Sequence, residues 1–116
     1  MAKETSALIV NTRFRSYTVS SIVTERYIAD GSPAILLWSI FDGPIARITV
    51  CLDDKELHPN ESYVDVNNCP WAPEWIEANR FGKPTGKTGQ SGYCAYPLFI
   101  FDMDRLAEYS PEKGGA

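Results

Sequence analysis

Eight residues in a row, Ala34-Ile35-Leu36-Leu37-Trp38-Ser39-Ile40-Phe41, are apolar but for one serine, and Asp42-Gly43-Pro44 follows at once. An apolar run of this length between turn residues is a strand rather than a helix. It is apolar at odd and even positions alike, so it needs cover on both faces and belongs in the middle of a sheet. Asp-Gly is a favoured hairpin pair, and Pro44 removes the next backbone donor from the ladder. Ile45 to Leu52 returns as the partner strand. Ile45, Arg47 and Thr49 fall on one face, with Ala46, Ile48, Val50 and Leu52 on the other.

The flanking segments extend this pattern. Thr12 to Ser21 and Ile22 to Ile28 are rich in β-formers, and Asp30-Gly31-Ser32-Pro33 is a strong turn signal. Asp53 to Asn60 reads as a polar loop, and Ser62 to Val66 as a short extended piece. Pro73 to Arg80 is the best helix: Pro73 suits a first turn, Glu74 sits near the positive end of the dipole, and Asn79 and Gly82 are stop signals. Trp71 and Trp75, four residues apart, share a face with Ala72 and Ile76. Gly82 to Gly92 reads as a glycine-rich loop and Tyr93 to Phe101 as a final strand, where Pro97 predicts an edge or a bulge. Met103 to Tyr109 suits one or two helical turns.

The expected fold class is α+β: a curved antiparallel sheet of about four to five strands with one short helix packed on it. The 116 residues suit a single domain over 1–116, with an ordered core from about 7 to 109 and a loose tail over 110–116.

Charge narrows the function. The net charge is −4, which disfavours direct nucleic-acid binding, since that needs a basic face. Asp53, Asp54, Glu56, Glu61, Asp65, Glu74 and Glu77 lie in one segment with a single base, Lys55. Such an acidic surface suits a basic protein partner or simply keeps the chain soluble. No apolar run approaches membrane-spanning length, and the first residues lack an apolar signal core, so a cytoplasmic, membrane-free protein is expected. Three widely spaced cysteines, Cys51, Cys69 and Cys94, form no disulfide framework and read as buried free thiols.

No motif carries a reaction. Gly82-Lys83-Pro84-Thr85-Gly86-Lys87-Thr88 is one residue short of a phosphate-binding P-loop, and it leaves a helix where a P-loop opens one. Lys83, Lys87 and the loop amides remain a looser candidate anion site. His58, the only histidine, has neither a neighbouring nucleophile nor a Cys-x-x-Cys pair with which to hold metal. No catalytic residue, metal or cofactor is therefore assigned, although a nucleophilic Cys69 or Cys94 stays open as an alternative. Asn67-Asn68-Cys69-Pro70-Trp71 turns the chain sharply and delivers Trp71 inward, or else presents Asn67, Asn68 and Trp71 as a recognition site.

The words Asn67 to Ala72, Asn79 to Gly82, Pro84 to Gly86, Gly89 to Gly92, Cys94 and Tyr96-Pro97 occur in order. Over residues 13 to 101 the chain resembles a family of small uncharacterised proteins encoded by bacteria, phages and integrative or conjugative elements. The resemblance implies no activity, only a setting of mobile-element accessory genes, where inhibitors of host defence such as anti-CRISPR proteins are common. The expected function is thus a non-enzymatic protein-binding inhibitor of a bacterial defence effector, with the acidic segment as contact surface. The alternative is a small-ligand or nucleotide binder using loop 82–92 with Asn67, Asn68, Trp71, Lys83 and Lys87.

Overall fold

The structure, a computed structural model, describes residues 8–111. The expected tail lies outside the described residues from 112 onward, as does residue 7 at the expected start of the core. Strands β1 (Leu8–Asn11) and β2 (Ser16–Val19) form an antiparallel pair. Strands β3 (Ser21–Arg26), β4 (Pro33–Ser39) and β5 (Gly43–Arg47) form a second antiparallel sheet with β4 in its centre. The third sheet has the order β6-β7-β9-β8, from β6 (Thr49–Val50), β7 (Glu61–Val64), β8 (Gly82–Ser91) and β9 (Cys94–Phe101). Helices α1 (Ala72–Ala78) and α2 (Met103–Ala107) complete the described residues. The protein is therefore mainly β with some helix. The strands form three small antiparallel sheets instead of one curved sheet, and α2 supplies the helical turns expected within Met103 to Tyr109.

The sheets separate because the return strand of the hairpin does not run straight. β5 ends at Arg47 and β6 begins at Thr49, so the return strand breaks at the buried Ile48. The Ile48 N–H still reaches the Ile35 carbonyl at 3.0 Å. The Ile35 N–H is taken by Thr49 Oγ1 at 3.0 Å, a side-chain oxygen standing in for a ladder carbonyl. The chain then crosses to the third sheet as β6. The hairpin turn also sits earlier than Asp42-Gly43 implies. Ser39 is buried, and its Oγ accepts the Phe41 and Asp42 N–H groups at 3.1 and 3.3 Å. β4 ends there, Ile40, Phe41 and Asp42 make the turn, and Gly43 takes the left-handed conformation (φ 81°) that a three-residue hairpin loop needs.

The segment 82–92 is not a loop. Gly82 to Pro84 and Thr88 to Ser91 pair with β9, interrupted by a bulge between Pro84 and Thr88. Glycine is required at Gly89 by close approach: a Cβ there would stand 2.6 Å from the Tyr63 ring. β9 is interior, between β7 and β8, and not an edge. Pro97 is accommodated because pairing with β7 ends at Leu98, while Pro97 pairs with Thr88 beside the bulge.

One core cluster draws on every layer: Val10, Ile22, Ile35, Leu37, Ile48, Val64, Ile76, Phe81, Phe99 and Leu106 all belong to it. Helix α1 is fixed at both ends. The Trp75 indole N–H donates to the Ile9 carbonyl of β1 at 2.9 Å. At its C-terminus the left-handed residue is Arg80 (φ 62°), not Gly82, and the Phe81 N–H reaches back to the Ile76 carbonyl at 2.9 Å. That turn drives Phe81 into the core against Trp75 and Tyr109.

Candidate functional site

Several turns put large apolar side chains into water, Ile28 and Tyr93 among them, and two of these turns are tied together. In the first, Thr12 Oγ1 accepts the N–H groups of Phe14 and Arg15 at 3.2 and 3.1 Å. The threonine side chain closes the turn, and Phe14 is left 82 % exposed. In the second, the Ser39 hydroxyl closes the turn, and Ile40 and Phe41 are 73 % and 75 % exposed. An ion pair between Arg15 and Asp42, 3.0 Å long, ties the turns side by side. The surface is organised further by stacking: the Arg13 guanidinium lies 5.3 Å from the Phe14 ring centre and that of Arg15 lies 4.7 Å from Tyr17.

Behind the Phe14 turn is a groove of about 310 Å³. Its walls are Arg13 and Phe14, Tyr17 of β2, Ile45 of β5, and the segment Asn68 to Trp71. Trp71 is half-buried: it packs against the core cluster, meets Trp75 edge-on at 6.2 Å, and lines the groove with its remaining surface. Asn68 is held by Asp65, whose carboxylate accepts its backbone N–H at 3.2 Å and its side-chain amide at 2.9 Å. Cys69 is buried at the back of this segment with its Sγ 3.8 Å from the Arg47 carbonyl. Burial, with a smaller push from Asp65, raises its thiol to about 11, the reverse of what activates a nucleophile.

The residues singled out from the sequence are distributed over separate places. Asn68 and Trp71 share the groove. Lys83 lines a second, more open groove of about 460 Å³ at the other end of α1, with Glu77, Arg80 and Asp102. Lys87 lines neither, and its N–H is taken by Thr85 Oγ1 at 3.1 Å within the β8 bulge. The segment 82–91 is an edge strand paired with β9, with a bulge between Pro84 and Thr88, and not the loop the sequence suggests. Asn67 is exposed on the turn. Of the acids, Asp53 pairs with Lys55 at 2.8 Å, and Asp54 accepts the Tyr63 hydroxyl at 2.8 Å. Glu56 is exposed near them, and Glu61 accepts the His58 N–H at 3.0 Å. Asp65 serves Asn68, while Glu74 and Glu77 stand exposed on α1. The segment is thus acidic in sequence, but four of its seven carboxylates organise their own surroundings.

Cys51 and Cys94 are half-buried, so only Cys69 fits the expectation of a buried thiol. Cys94 packs with Tyr63 and Tyr96 in a cluster separate from that of Cys69. Among the described residues no group of three or more His, Cys, Asp or Glu is gathered to hold a metal ion. No helix among them is long and apolar enough to cross a membrane.

A family model described as a domain of unknown function (DUF4313) matches residues 22–114. The chain belongs to this family. No curated protein and no solved structure matches it. The DUF4313 match begins at Ile22, so it includes Ile40, Phe41, Asn68 and Trp71 but not Arg13, Phe14 or Tyr17, which complete the groove from outside it.

Sequence reasoning missed Arg13, Phe14, Ile40 and Phe41. The signal for Phe14 was its setting between two arginines, Arg13 and Arg15, with a turn-forming Thr12 ahead of them. A phenylalanine flanked so closely by charge is poorly placed to enter a core.

Proposed function

We propose that this DUF4313 chain is a non-enzymatic protein-binding domain whose contact surface is the pair of turns bearing Phe14, Ile40 and Phe41. The observation that carries the reading is the exposure of these three side chains on turns locked together by Arg15 and Asp42. Soluble proteins seldom leave large apolar groups adjacent in water unless a partner covers them. Aromatic anchors are also the groups on which interfaces most depend. The acids of residues 53–77, largely engaged with their own neighbours, contribute a negative field that steers a basic partner.

The finer reading is that the partner is a bacterial defence effector, CRISPR complexes included, and that binding occludes its working surface. Its support is the mobile-element setting implied by the family resemblance. The test compares wild type with an Ile40→Asp/Phe41→Asp variant, each immobilised and challenged with purified CRISPR effectors, with DNA cleavage as the readout, and with a bacterial lysate. The reading expects a partner retained by wild type and lost by the variant, with cleavage suppressed by wild type alone. Equal retention by both, or a partner retained by neither, refutes the turn surface. Undiminished cleavage refutes the anti-defence role.

A further inference from the structure

The groove behind the Phe14 turn carries a more specific assignment, resting on the reading that this chain docks on a protein. Its charge sets it apart. The chain has 15 acids and 11 lysines and arginines, yet among the described residues no carboxylate lines this groove and a guanidinium, that of Arg13, does. The two carboxylates tied to its rim are already engaged, Asp42 by Arg15 and Asp65 by Asn68. Among the described residues Arg13 forms no ion pair, and its guanidinium lies 5.3 Å from the Phe14 ring centre. A cation–π contact uses none of the guanidinium's hydrogen-bond donors, so its N–H groups stay available to grip a carboxylate with two parallel hydrogen bonds.

The remaining walls are aromatic and apolar, from Tyr17, Ile45 and Trp71. A volume of about 310 Å³ is at the small end of ligand pockets, which run from about 300 to 1,000 Å³. It suits one large flat side chain and is too small for a helix. Asn68 adds a directional group. With its amide N–H held by Asp65, its Oδ1 remains to accept an N–H from an incoming backbone.

We propose that this groove takes an aromatic side chain of a protein partner, and that an Asp or Glu beside that residue in the partner pairs with Arg13. A mononucleotide offers a related combination of flat ring and anion, so it is the rival in the test.

The experiment is a backbone-amide NMR titration of the full chain with three probes: the acetylated, amidated peptide Ser-Asp-Phe-Glu-Gly-Ser, the same peptide with both acids replaced by lysine, and adenosine monophosphate. The acidic peptide is expected to shift the resonances of residues 11–17 and 68–71 saturably. It should bind about five-fold more tightly than the lysine peptide, the difference between an exposed ion pair and its repulsive counterpart. Arg13→Glu reverses that order. Arg13 is exposed, and its side chain makes no hydrogen bond or ion pair among the described residues, so resonances outside the groove should be unchanged. Equal affinity for the two peptides, shifts centred elsewhere, indifference to Arg13→Glu, or binding of adenosine monophosphate in the groove without the peptide overturns the proposal. If the peptide fails while a partner is still retained through Ile40 and Phe41, the groove assignment falls and the docking surface stands. If the peptide binds as expected but no partner depends on Ile40 and Phe41, the turn surface falls alone.

Discussion

Thr49→Val tests why the chain divides into separate sheets. Thr49 is 3 % exposed, and its Oγ1 accepts the N–H of Ile35, itself fully buried, at 3.0 Å. The same oxygen is 3.0 Å from the Tyr27 hydroxyl, which also donates to the Thr49 carbonyl at 3.0 Å. Valine fills nearly the same volume, so no cavity forms. Tyr27 keeps the carbonyl as its acceptor. What remains is one buried backbone N–H with nothing to bond, a loss of about 1–3 kcal/mol. Taking about 2 kcal/mol, the thermal midpoint drops by about 8 °C at this chain length. Thr49→Ser keeps the hydroxyl and loses a methyl, which costs about 1 kcal/mol. Urea denaturation of the three proteins gives the order, and hydrogen exchange gives the location: the Ile35 amide should exchange about 30-fold faster in the valine variant, ahead of Leu36 and Leu37. A valine variant within about 0.5 kcal/mol of wild type, or one no worse than the serine variant with Ile35 still protected, refutes the claim that this hydroxyl replaces a ladder acceptor.

Gly89→Ala forces a methyl to within 2.6 Å of Tyr63 and 2.8 Å of Leu52, so the ring must leave Asp54; denaturation should register a loss of about 2–4 kcal/mol, and Tyr63→Phe in the same background should then add almost nothing. Stability should fall on the alkaline side from about pH 9. The unfolded Cys69 thiol ionises near 9 and the folded one only at about 11, so between them the unfolded chain alone sheds a proton. Tyr63, raised by burial and by its hydrogen bond to Asp54, adds the same sign between 10 and about 12. Urea midpoints measured from pH 8 to 11 check this, and Cys69→Ala should make the fall between pH 9 and 10 shallower, leaving the share of Cys51, whose thiol burial also raises.

Where local chemistry decides the structure, the residues were legible. The central position of β4 follows from its apolarity on both faces, and the start of α1 from Pro73. The turn at Asp30 to Ser32 follows from its residues too, and the Tyr27 N–H reaches the Ser32 carbonyl across it at 2.9 Å. Errors arose where a distant group supplied the decisive bond. Lysines and glycines from Gly82 to Gly92 are turn residues by composition, yet Gly89 is there because the Tyr63 ring, 26 positions earlier, lies against its backbone. The end of β4 was placed two residues late because nothing local announces that the Ser39 hydroxyl will take two turn amides. The split of the return strand depends on Thr49 meeting Ile35, which only the closed hairpin brings about.

The candidate site divides along the same line. Asn68 and Trp71 stood out because two asparagines before Cys-Pro-Trp form an unusual turn whatever surrounds them. Arg13 and Phe14 did not, since a phenylalanine in a run of β-formers looks like a strand residue until Thr12 turns it outward. The groove exists only because residues 11–17, 45–46 and 68–71 converge. Each segment alone is ordinary: a threonine-closed turn, an edge strand, and the entry to a short helix. Their convergence also explains the charge of the groove. Arg15 pairs with Asp42 across the two turns, and Asp65, which keeps its charge, is turned to the Asn68 amides, so neither carboxylate pairs with Arg13. A chain of net charge −4 thereby presents a cation beside an aromatic slot, a local inversion of charge that its composition does not reveal.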